Sequence, residues 1–311
     1  MQQLKVCFTG VGSIAKRHIR NLQAVCDARD IRLQIDAFRH SANSNLIEGI
    51  ETSFYEIEKV PNDYDVIFIT NPTELHLETL KQFHDKGRHF FIEKPVVSQN
   101  QISLAKQVLL KNNSIYYVAC PLRYNAVIQY IKKNVCIDDV ISVRSISSSY
   151  LPDWRPGQDY RQTYSAHKKL GGGVSIDLIH EWDYLTYIFG WPKHIKSFIG
   201  KISDLEIDSD DYAIYIAEFD KKIAELHLDY FGRKTIREIQ LFTKGDTIIG
   251  DIANNIITFL TTGKVIEFKE ERDDFQRREL EHFLDMVQNS VPIENGYKHG
   301  IKVLELTQGR L

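Results

Sequence analysis

The sequence contains little that would mark a secreted, membrane-spanning or metal-dependent protein. Its 311 residues include only four cysteines, and these are scattered without C-x-x-C spacing, so neither a disulfide framework nor a zinc site is expected. Long apolar runs are missing as well, since runs such as "VIFIT" fall far short of the about 20 residues that cross a bilayer. The opening "MQQLKVCFTG" lacks the apolar segment of a signal peptide. We therefore expect a cytoplasmic protein with no membrane partner and no bound metal.

Strong charge of either sign is missing too. The formal net charge is −3 at pH 7, and no run of basic residues is long enough to form a dedicated patch. Binding to nucleic acid is therefore not expected, and a small-molecule ligand is favoured. Because 43% of the residues are hydrophobic, the chain can bury a large core, and its length is more typical of two domains than of one.

The first feature that the sequence does contain is an alternation of strand-like and helix-like segments. The run "LKVCFT" precedes the helix-like "SIAKRHIRNLQAV", and the strand-like runs "RLQIDAF", "DVIFIT" and "HFFIEK" follow with helical stretches between or after them. This order predicts an α/β dinucleotide-binding domain over residues 1–121, with the doubly wound parallel sheet of a Rossmann fold.

A different pattern begins near Val140. Long strand-like runs such as "VISVRSISSSY" and "KIAELHLDYF" follow one another with few helices between them, which predicts an α+β domain with a large, mainly antiparallel open sheet over residues 122–311. The helices available can cover only part of such a sheet. We therefore expect this domain both to bind substrate and to join subunits in a homodimer or homotetramer.

Residues 10–15, "GVGSIA", match the pattern G-x-G-x-x-G/A directly after a strand and at the start of a helix. The first glycine permits a tight turn, the second lets the backbone approach a pyrophosphate, and free N–H groups at the helix start meet the phosphates. A glycine turn without a ligand is the simpler alternative, but the N-terminal position and the strand–helix repeats favour a dinucleotide. The cofactor contacts predicted here are Gly10, Gly12, Ser13 and Ile14.

The end of the second strand bears on the choice of cofactor. An acidic side chain there binds the ribose 2′-hydroxyl of NAD, but in "DAFRHS" Asp36 lies inside the strand and Arg39 takes the strand-end position, with His40 and Ser41 beside it. A guanidinium can fork onto a 2′-phosphate, so we expect NADP(H), with NAD(H) as the alternative. An exposed loop arginine without this role is the competing interpretation.

Four further motifs follow in a fixed order: "ITNPTELH", "EKP", "PLRYN" and the glycine triplet of "GGGVSIDLIHEWDYL". Together with "GVGSIAKRH", they resemble the Gfo/Idh/MocA family of NAD(P)-dependent oxidoreductases over nearly the full length of the chain. The resemblance implies hydride transfer to or from a hydroxyl or keto carbon of a sugar or sugar derivative, including amino sugars and nucleotide-linked sugars. An NAD-dependent glycosidase of the same family and a non-catalytic, cofactor-sensing binding protein are the alternatives.

The resemblance also implies roles for individual residues. Lys94 of "EKP" contacts both nicotinamide and substrate, with Glu93 beside it at the cofactor, and Asp177 and His180 face the nicotinamide ring. The same resemblance implies cofactor contacts from Thr70, Asn71, Pro72 and His76 and a substrate contact from Arg123. We interpret the glycine triplet as letting the backbone approach cofactor or substrate.

The spacing after the triplet departs from the family pattern. Family members commonly have D-x-x-x-H, whereas here His180 follows Asp177 after two residues and Glu181 takes the usual histidine position. If the segment is one helix, all three side chains share a face. We expect His180 to accept the hydroxyl proton, because an imidazole titrates near neutrality, with Asp177 orienting it and Glu181 as the alternative acid–base group. Lys94 would stabilise charge on the oxygen.

The stretch from residue 151 to 169, "LPDWRPGQDYRQTYSAHKK", is rich in aromatic and basic residues without helical or strand periodicity. Flat aromatic faces suit sugar rings, and guanidinium forks suit a carboxylate or phosphate. The substrate contacts predicted in this loop are Trp154, Tyr160, Arg161 and Tyr164. Packing of the same residues on a domain interface is the alternative.

Overall fold

The computed structural model describes residues 3–40, 47–288 and 291–310. The chain divides into two compact units, the first formed by Met1–Cys120 with Arg272–Ile301 and the second by Pro121–Glu271 with Lys302–Leu311. Of the helices in the described ranges, none combines the length and apolar character that a membrane crossing requires. Ser41, one of the predicted cofactor contacts, lies outside the described residues.

The first unit contains a six-stranded sheet. Its elements before residue 121 are β1 (Gln3–Thr9), α1 (Ser13–Ala28), β2 (Arg32–Phe38), β3 (Thr52–Phe54), β4 (Tyr64–Ile69), α2 (His76–Gln82), β5 (Gly87–Ile92), α3 (Ile102–Ala105) and β6 (Tyr116–Val118). The strands pair in the order β3-β2-β1-β4-β5-β6, and every pairing is parallel. This confirms the predicted Rossmann sheet. The strand order reverses beside β1, where such sheets bind ligands at the carboxyl ends of their strands.

The second unit contains an eight-stranded sheet. Its helices and strands are α4 (Ala126–Asn134), β7 (Val140–Tyr150), α5 (Val174–Asp177), α6 (His180–Phe189), β8 (His194–Gly200), β9 (Tyr212–Phe219), β10 (Lys222–Asp229), β11 (Phe231–Thr243), β12 (Thr247–Asp251), β13 (Ile256–Phe259) and β14 (Val265–Glu267). The order is β14-β13-β12-β11-β7-β10-β9-β8, and only the pairing of β7 with β10 is parallel. The predicted large, mainly antiparallel sheet is confirmed.

Helix α7 (Arg272–Val287) differs from the domain assignment made from sequence, which placed residues 122–311 together. In the structure this helix belongs to the first unit. Phe283 packs against the strand residues Phe68, Phe91 and Tyr117, with ring centroids 5.2 to 6.2 Å apart. The physical reason is that a parallel sheet buried on both faces needs apolar cover, which α7 supplies next to α1. The last helix, α8 (Tyr297–Leu306), contains the third boundary between the units, after Ile301.

The second sheet leaves one face partly uncovered. Along β9 burial alternates strictly, so that Tyr215 is buried while Ile214 and Ile216 are exposed, and Phe198 of the adjacent β8 is 70% exposed. Trp182 of α6 packs on the buried side, with its ring 5.1 Å from that of Tyr215. Exposed apolar side chains of this kind suit a subunit contact, and the homodimer or homotetramer stays a prediction.

Candidate functional site

The turn after β1 brings two backbone segments into contact. Gly10 has a φ of +83°, and a Cβ atom added to it would lie 2.9 Å from the Cα atom of Asn71. The Gly10 N–H donates to the carbonyl oxygen of Phe38 at 3.0 Å. Only glycine satisfies both the left-handed conformation and the close approach, so the first glycine of the motif is fixed by the fold.

Gly12, in contrast, faces open space. A Cβ atom added there would meet no atom within 4 Å among the described residues. Gly12 is the N-cap of the 16-residue helix α1, and no described side chain bonds to the N–H groups at this helix start, where Ser13 is exposed. Uncapped N–H groups beside an unobstructed backbone suit an anionic ligand, so this turn fits the pyrophosphate of a dinucleotide.

The strand-end position of β2 is occupied by a buried arginine. Arg39 is 6% exposed, and its backbone N–H donates to the carbonyl oxygen of Phe54 at 2.9 Å. Asp36 is also buried and accepts a hydrogen bond from the Tyr64 hydroxyl at 2.8 Å. Asp36 is therefore engaged inside the fold, and Arg39 is not the exposed loop arginine of the competing interpretation. His40 is exposed, and its ring centroid lies 6.0 Å from that of Phe38 in an edge-to-face arrangement.

The "TNPTELH" turn follows β4 and is tied to its neighbours by hydrogen bonds. The Thr70 hydroxyl donates to the Gly10 carbonyl oxygen at 2.9 Å, and His76 places Nε2 at 2.9 Å from the Asn71 carbonyl oxygen and Nδ1 at 3.1 Å from that of Pro95. Burial lowers the pKa of His76, whereas the Asn71 carbonyl oxygen, the charge of Glu93 and the Pro95 carbonyl oxygen act in the opposite direction. Pro72 begins the short helical turn within the motif. The predicted cofactor-bordering residues thus form a bonded cluster at the carboxyl edge of the sheet.

The "EKP" motif follows β5 at the same edge. Glu93 bonds through Oε1 to Nε2 of His18 at 2.5 Å and through Oε2 to the Lys94 N–H at 3.1 Å. The Lys94–Pro95 peptide bond is cis, and Lys94 itself is partly exposed. Lys94 therefore lies at the carboxyl edge of the sheet, the end at which Rossmann sheets bind ligands, and its contacts with nicotinamide and substrate stay a prediction.

In the second unit, Gly172 and Gly173 of the glycine triplet pack against protein, whereas Gly171 has a φ of +79° and faces open space. A Cβ atom on Gly172 would collide with the Tyr164 carbonyl oxygen, and one on Gly173 would collide with the Asp210 carboxylate. Asp210 also accepts a hydrogen bond from the Ser175 N–H at 2.9 Å. These two glycines are thus explained by contacts inside the unit, which differs from the ligand approach that we inferred from the sequence.

Asp177 is buried and held by a phenol group. The Tyr230 hydroxyl donates to its Oδ2 at 2.6 Å. Burial, followed by the charge of Asp177 and a hydrogen bond to it, raises the pKa of Tyr230 well above the usual value. The Tyr230 phenol therefore stays protonated and acts as a donor to this carboxylate. Tyr230 was missed from the sequence because it lies in a strand-like run with no motif.

The segment around the predicted acid–base group is not a single helix. Helix α5 ends at Asp177 and α6 begins at His180, so the shared helical face expected from sequence does not exist. Glu181 is fully buried, and its Oε1 lies 2.9 Å from Nε of Arg237 on β11, whereas His180 is partly exposed. This arrangement favours His180 over Glu181 for proton transfer, because Glu181 is already an ion-pair partner.

Arg123 of "PLRYN" forms a buried, bidentate ion pair. Its Nε and Nη2 atoms donate to the two carboxylate oxygens of Asp183 at 2.6 and 2.7 Å. The guanidinium also lies 5.0 Å from the centre of the Tyr187 ring. These contacts indicate a structural role inside the second unit, and the predicted substrate contact stays a prediction.

The loop at residues 151–169 is organised by contacts of its own. Trp154 donates from Nε1 to the Ser149 hydroxyl at 2.8 Å, and the Arg161 guanidinium bonds to Asp159 at 2.9 Å and to Glu206 at 3.1 Å. The Tyr160 hydroxyl accepts from the Glu206 N–H at 3.2 Å. Two carboxylates thus offset the charge of Arg161, which weakens the argument that it binds an anionic substrate.

The parallel sheet, its glycine turn and the lysine at its carboxyl edge are typical of a dinucleotide-binding Rossmann fold. Residues 4–119 match the family model described as "Oxidoreductase family, NAD-binding Rossmann fold", and residues 136–244 match the one described as "GFO/IDH/MocA C-terminal domain". The chain belongs to the Gfo/Idh/MocA family, which confirms the resemblance.

The individual proteins to which this chain is similar have low sequence identity to it. The chain is 27% identical to the uncharacterized oxidoreductase YrbE of Bacillus subtilis (strain 168) over 61% of its length and 54% of that protein, so it spans about half of this relative. It is 25% identical to scyllo-inositol 2-dehydrogenase (NAD(+)) of the same organism over 92% of its length and 87% of that protein. Levoglucosan dehydrogenase in complex with NADH has a similar fold, with a TM-score of 0.84 and 15% identity over 99% of this chain and 96% of that one.

The pairing of Arg123 with Asp183 generates a stability prediction. Asp183→Asn leaves a buried guanidinium without its charge partner, so the free energy of unfolding should fall by about 3–5 kcal/mol in urea titrations. Asp159→Asn breaks the exposed Arg161 pair and is the matched control, for which we expect little change. Equal effects of the two variants would contradict the structural role of Arg123.

Proposed function

We propose that this protein is an NADP(H)-dependent dehydrogenase or reductase that transfers a hydride to or from a hydroxyl or keto carbon of a sugar or sugar derivative. The observation that carries the proposal is the Lys94 site, a lysine beside an ion-paired Glu93 at the carboxyl edge of a sheet whose glycine turn fits a dinucleotide. Relatives named for inositol and levoglucosan support the class of substrate.

The residues of the first unit suit a nicotinamide cofactor. Gly12 and the start of α1 would hold its pyrophosphate, and Arg39 would hold a ribose 2′-phosphate. When bound, such a cofactor accepts or donates the hydride. Lys94 would donate a hydrogen bond to the reacting oxygen and stabilise negative charge that develops there.

The residues of the second unit suit proton transfer. His180 would accept the hydroxyl proton during oxidation and return it during reduction, which is the general acid–base role that histidine fills most often. Asp177 is kept as a hydrogen-bond acceptor by the Tyr230 hydroxyl, so it would orient an N–H or O–H group beside it. Its role is therefore positioning and not proton release.

The direct test is turnover. A panel of sugars, cyclitols and their keto forms should be screened with NADP(H) and NAD(H) by the absorbance of the reduced nicotinamide. Net formation or loss of NADPH would support the proposal, because a glycosidase that oxidises and re-reduces its substrate shows no net change. A cofactor-sensing protein would bind NADPH without any turnover, and that result would contradict the proposal.

Cofactor preference should depend on Arg39. In Arg39→Asp the affinity for NADPH should fall by about tenfold or more, the loss expected for one charge-assisted bond, while NADH binding is maintained. Fluorescence titration of both cofactors measures the change. Arg32→Asp, an exposed arginine at the start of β2, is the control and should keep the wild-type preference. An unchanged preference in Arg39→Asp would overturn the assignment of NADP(H).

Catalysis should depend on Lys94. In Lys94→Ala we expect kcat to fall by about 100-fold or more, because a preorganised donor to the reacting oxygen is lost, with the Kd for NADPH within a few fold of the wild-type value. Lys81→Ala, an exposed lysine of α2, should retain full activity. If kcat of Lys94→Ala stays near the wild-type value, Lys94 serves only as a structural partner of Glu93.

The two candidate acid–base residues should separate in their pH profiles. A histidine that accepts a proton works in its neutral form, so oxidation should decline as the pH falls through the pKa of His180, and His180→Asn should lose this limb of the kcat profile. Glu181→Gln should keep the limb but lower the melting temperature, because Arg237 loses its partner. Loss of the limb in Glu181→Gln instead would reverse the assignment.

A further inference from the structure

His18 is a buried histidine with one dedicated partner. It lies on α1 with its side chain only 3% exposed, and its Nε2 is 2.5 Å from Glu93 Oε1. Its ring packs against Phe91, with centroids 5.1 Å apart, and lies 6.4 Å from that of Phe68. Among the described residues Nδ1 has no hydrogen-bond partner. All polar bonding of this imidazole is therefore directed at one carboxylate oxygen.

Glu93 also forms a hydrogen bond with the residue that follows it in the chain. Its second oxygen, Oε2, accepts the backbone N–H of Lys94 at 3.1 Å, so the two oxygens of one carboxylate connect α1 to the residue that follows β5. The Glu93 N–H donates to the Ile69 carbonyl oxygen at 2.9 Å, which fixes the backbone on the other side. A side chain bonded at both oxygens has little rotational freedom, and it restrains the backbone of Lys94.

We propose that His18 is a positioning residue, which holds the Glu93 carboxylate in the orientation and ionised state that set the backbone position and the electrostatic surroundings of Lys94. The proposal rests on the proposed function only in assigning Lys94 to the reacting oxygen. His18 itself contacts the core, Glu93 and no solvent-facing ligand surface, so its effect on the reaction is indirect.

The charges around Glu93 support this role. The groups that face its carboxylate are His18 from α1, His76 from α2 and the adjacent Lys94. Burial alone would raise the pKa of Glu93, but the hydrogen bond and charge of His18, followed by the charges of Lys94 and His76, more than offset burial and hold the pKa below its ordinary value. Because burial lowers the pKa of His76, His18 is the main partner from outside the motif.

The direction of the pH effect follows from this balance. A carboxyl whose pKa is depressed in the folded protein contributes stability that is present above its unfolded pKa and is lost as the pH falls through the folded value. When His18 is removed, burial dominates and the pKa of Glu93 rises. The ionised form is then lost at a higher pH, and the bond to the Lys94 N–H weakens with it.

The first test uses the ligand-free protein and needs no turnover. The backbone amide of Lys94, followed by heteronuclear NMR from pH 8 down to the lowest pH at which the protein stays folded, should report the titration of Glu93, with Glu93→Gln identifying the signal. In His18→Phe the midpoint should rise by about one unit or more. His18→Gln keeps a donor near the Nε2 position, so it should restore most of the wild-type midpoint.

A matched control separates positioning from general loss of a buried histidine. His89 is buried on β5, where its Nδ1 accepts the Ile115 N–H at 3.1 Å, and it has no contact with Glu93. His89→Phe should lower the melting temperature without moving the Lys94 midpoint. Equal midpoints in wild type, His18→Phe and His89→Phe would overturn the proposal, as would a shift in His18→Gln as large as that in His18→Phe.

The second test uses the active enzyme. In His18→Phe, the decline of kcat on the acid side should begin about one pH unit higher than in wild type, with the Kd for NADPH within about threefold of wild type, and His18→Gln should recover most of the difference. A uniform loss at all pH values would show that His18 is merely structural. If wild type turns over no substrate while the Lys94 midpoint still shifts, the proposed function fails and the link from His18 to Lys94 stands.

Discussion

The close contact between the Gly10 turn and the Asn71 turn is the constraint on which the first unit depends. Because the Gly10 Cα has no side chain, the turns after β1 and β4 can meet, and the Thr70 hydroxyl then reaches the Gly10 carbonyl oxygen. His76 extends the same contact to Pro95, directly after Lys94. One backbone approach thus fixes the ends of three parallel strands at the edge where Rossmann sheets bind ligands. A larger residue at position 10 would separate the turn after β1 from the segment that carries Lys94.

In the second unit, two carboxylates hold the two ends of helix α5. The Asp210 carboxylate accepts a hydrogen bond from the Ser175 N–H at the start of α5. Asp177, at the end of the same helix, accepts a hydrogen bond from the Tyr230 hydroxyl. Burial and the nearby charge of Asp177 raise the pKa of Asp210, so the two carboxyl groups are not equivalent. The Asp210 carboxylate binds a backbone N–H, whereas the Asp177 carboxylate is held by the Tyr230 phenol. The glycine triplet permits this arrangement, since side chains at Gly172 and Gly173 would collide with the loop and with Asp210.

Local patterns in the sequence predicted the elements that depend on neighbours along the chain. The strand–helix alternation identified the parallel sheet, and the position of "GVGSIA" identified its ligand turn. The role of α7 could not be predicted in this way, because an apolar helix face does not reveal which sheet it will cover. The pairing of Arg123 with Asp183 spans 60 residues and carries no local signal. Our interpretation of Gly172 and Gly173 as an approach to a ligand was wrong for a similar reason, because their neighbours Tyr164 and Asp210 are not adjacent to them in the sequence.

The shortened spacing between Asp177 and His180 is explained by the break between α5 and α6. In one continuous helix, removing a residue would rotate every later side chain by about 100° and carry Glu181 into the position that histidine holds in relatives. The break at Leu178 and Ile179 removes that coupling, because α6 starts afresh at His180. Helix α6 is then oriented by its own contacts, among them the Glu181–Arg237 ion pair and the buried, bidentate Arg123–Asp183 pair. With Glu181 directed toward β11, His180 faces a different direction, because successive helical side chains point about 100° apart. The glutamate thus helps to orient the helix that carries the histidine, and the assignment of proton transfer to His180 stays a prediction.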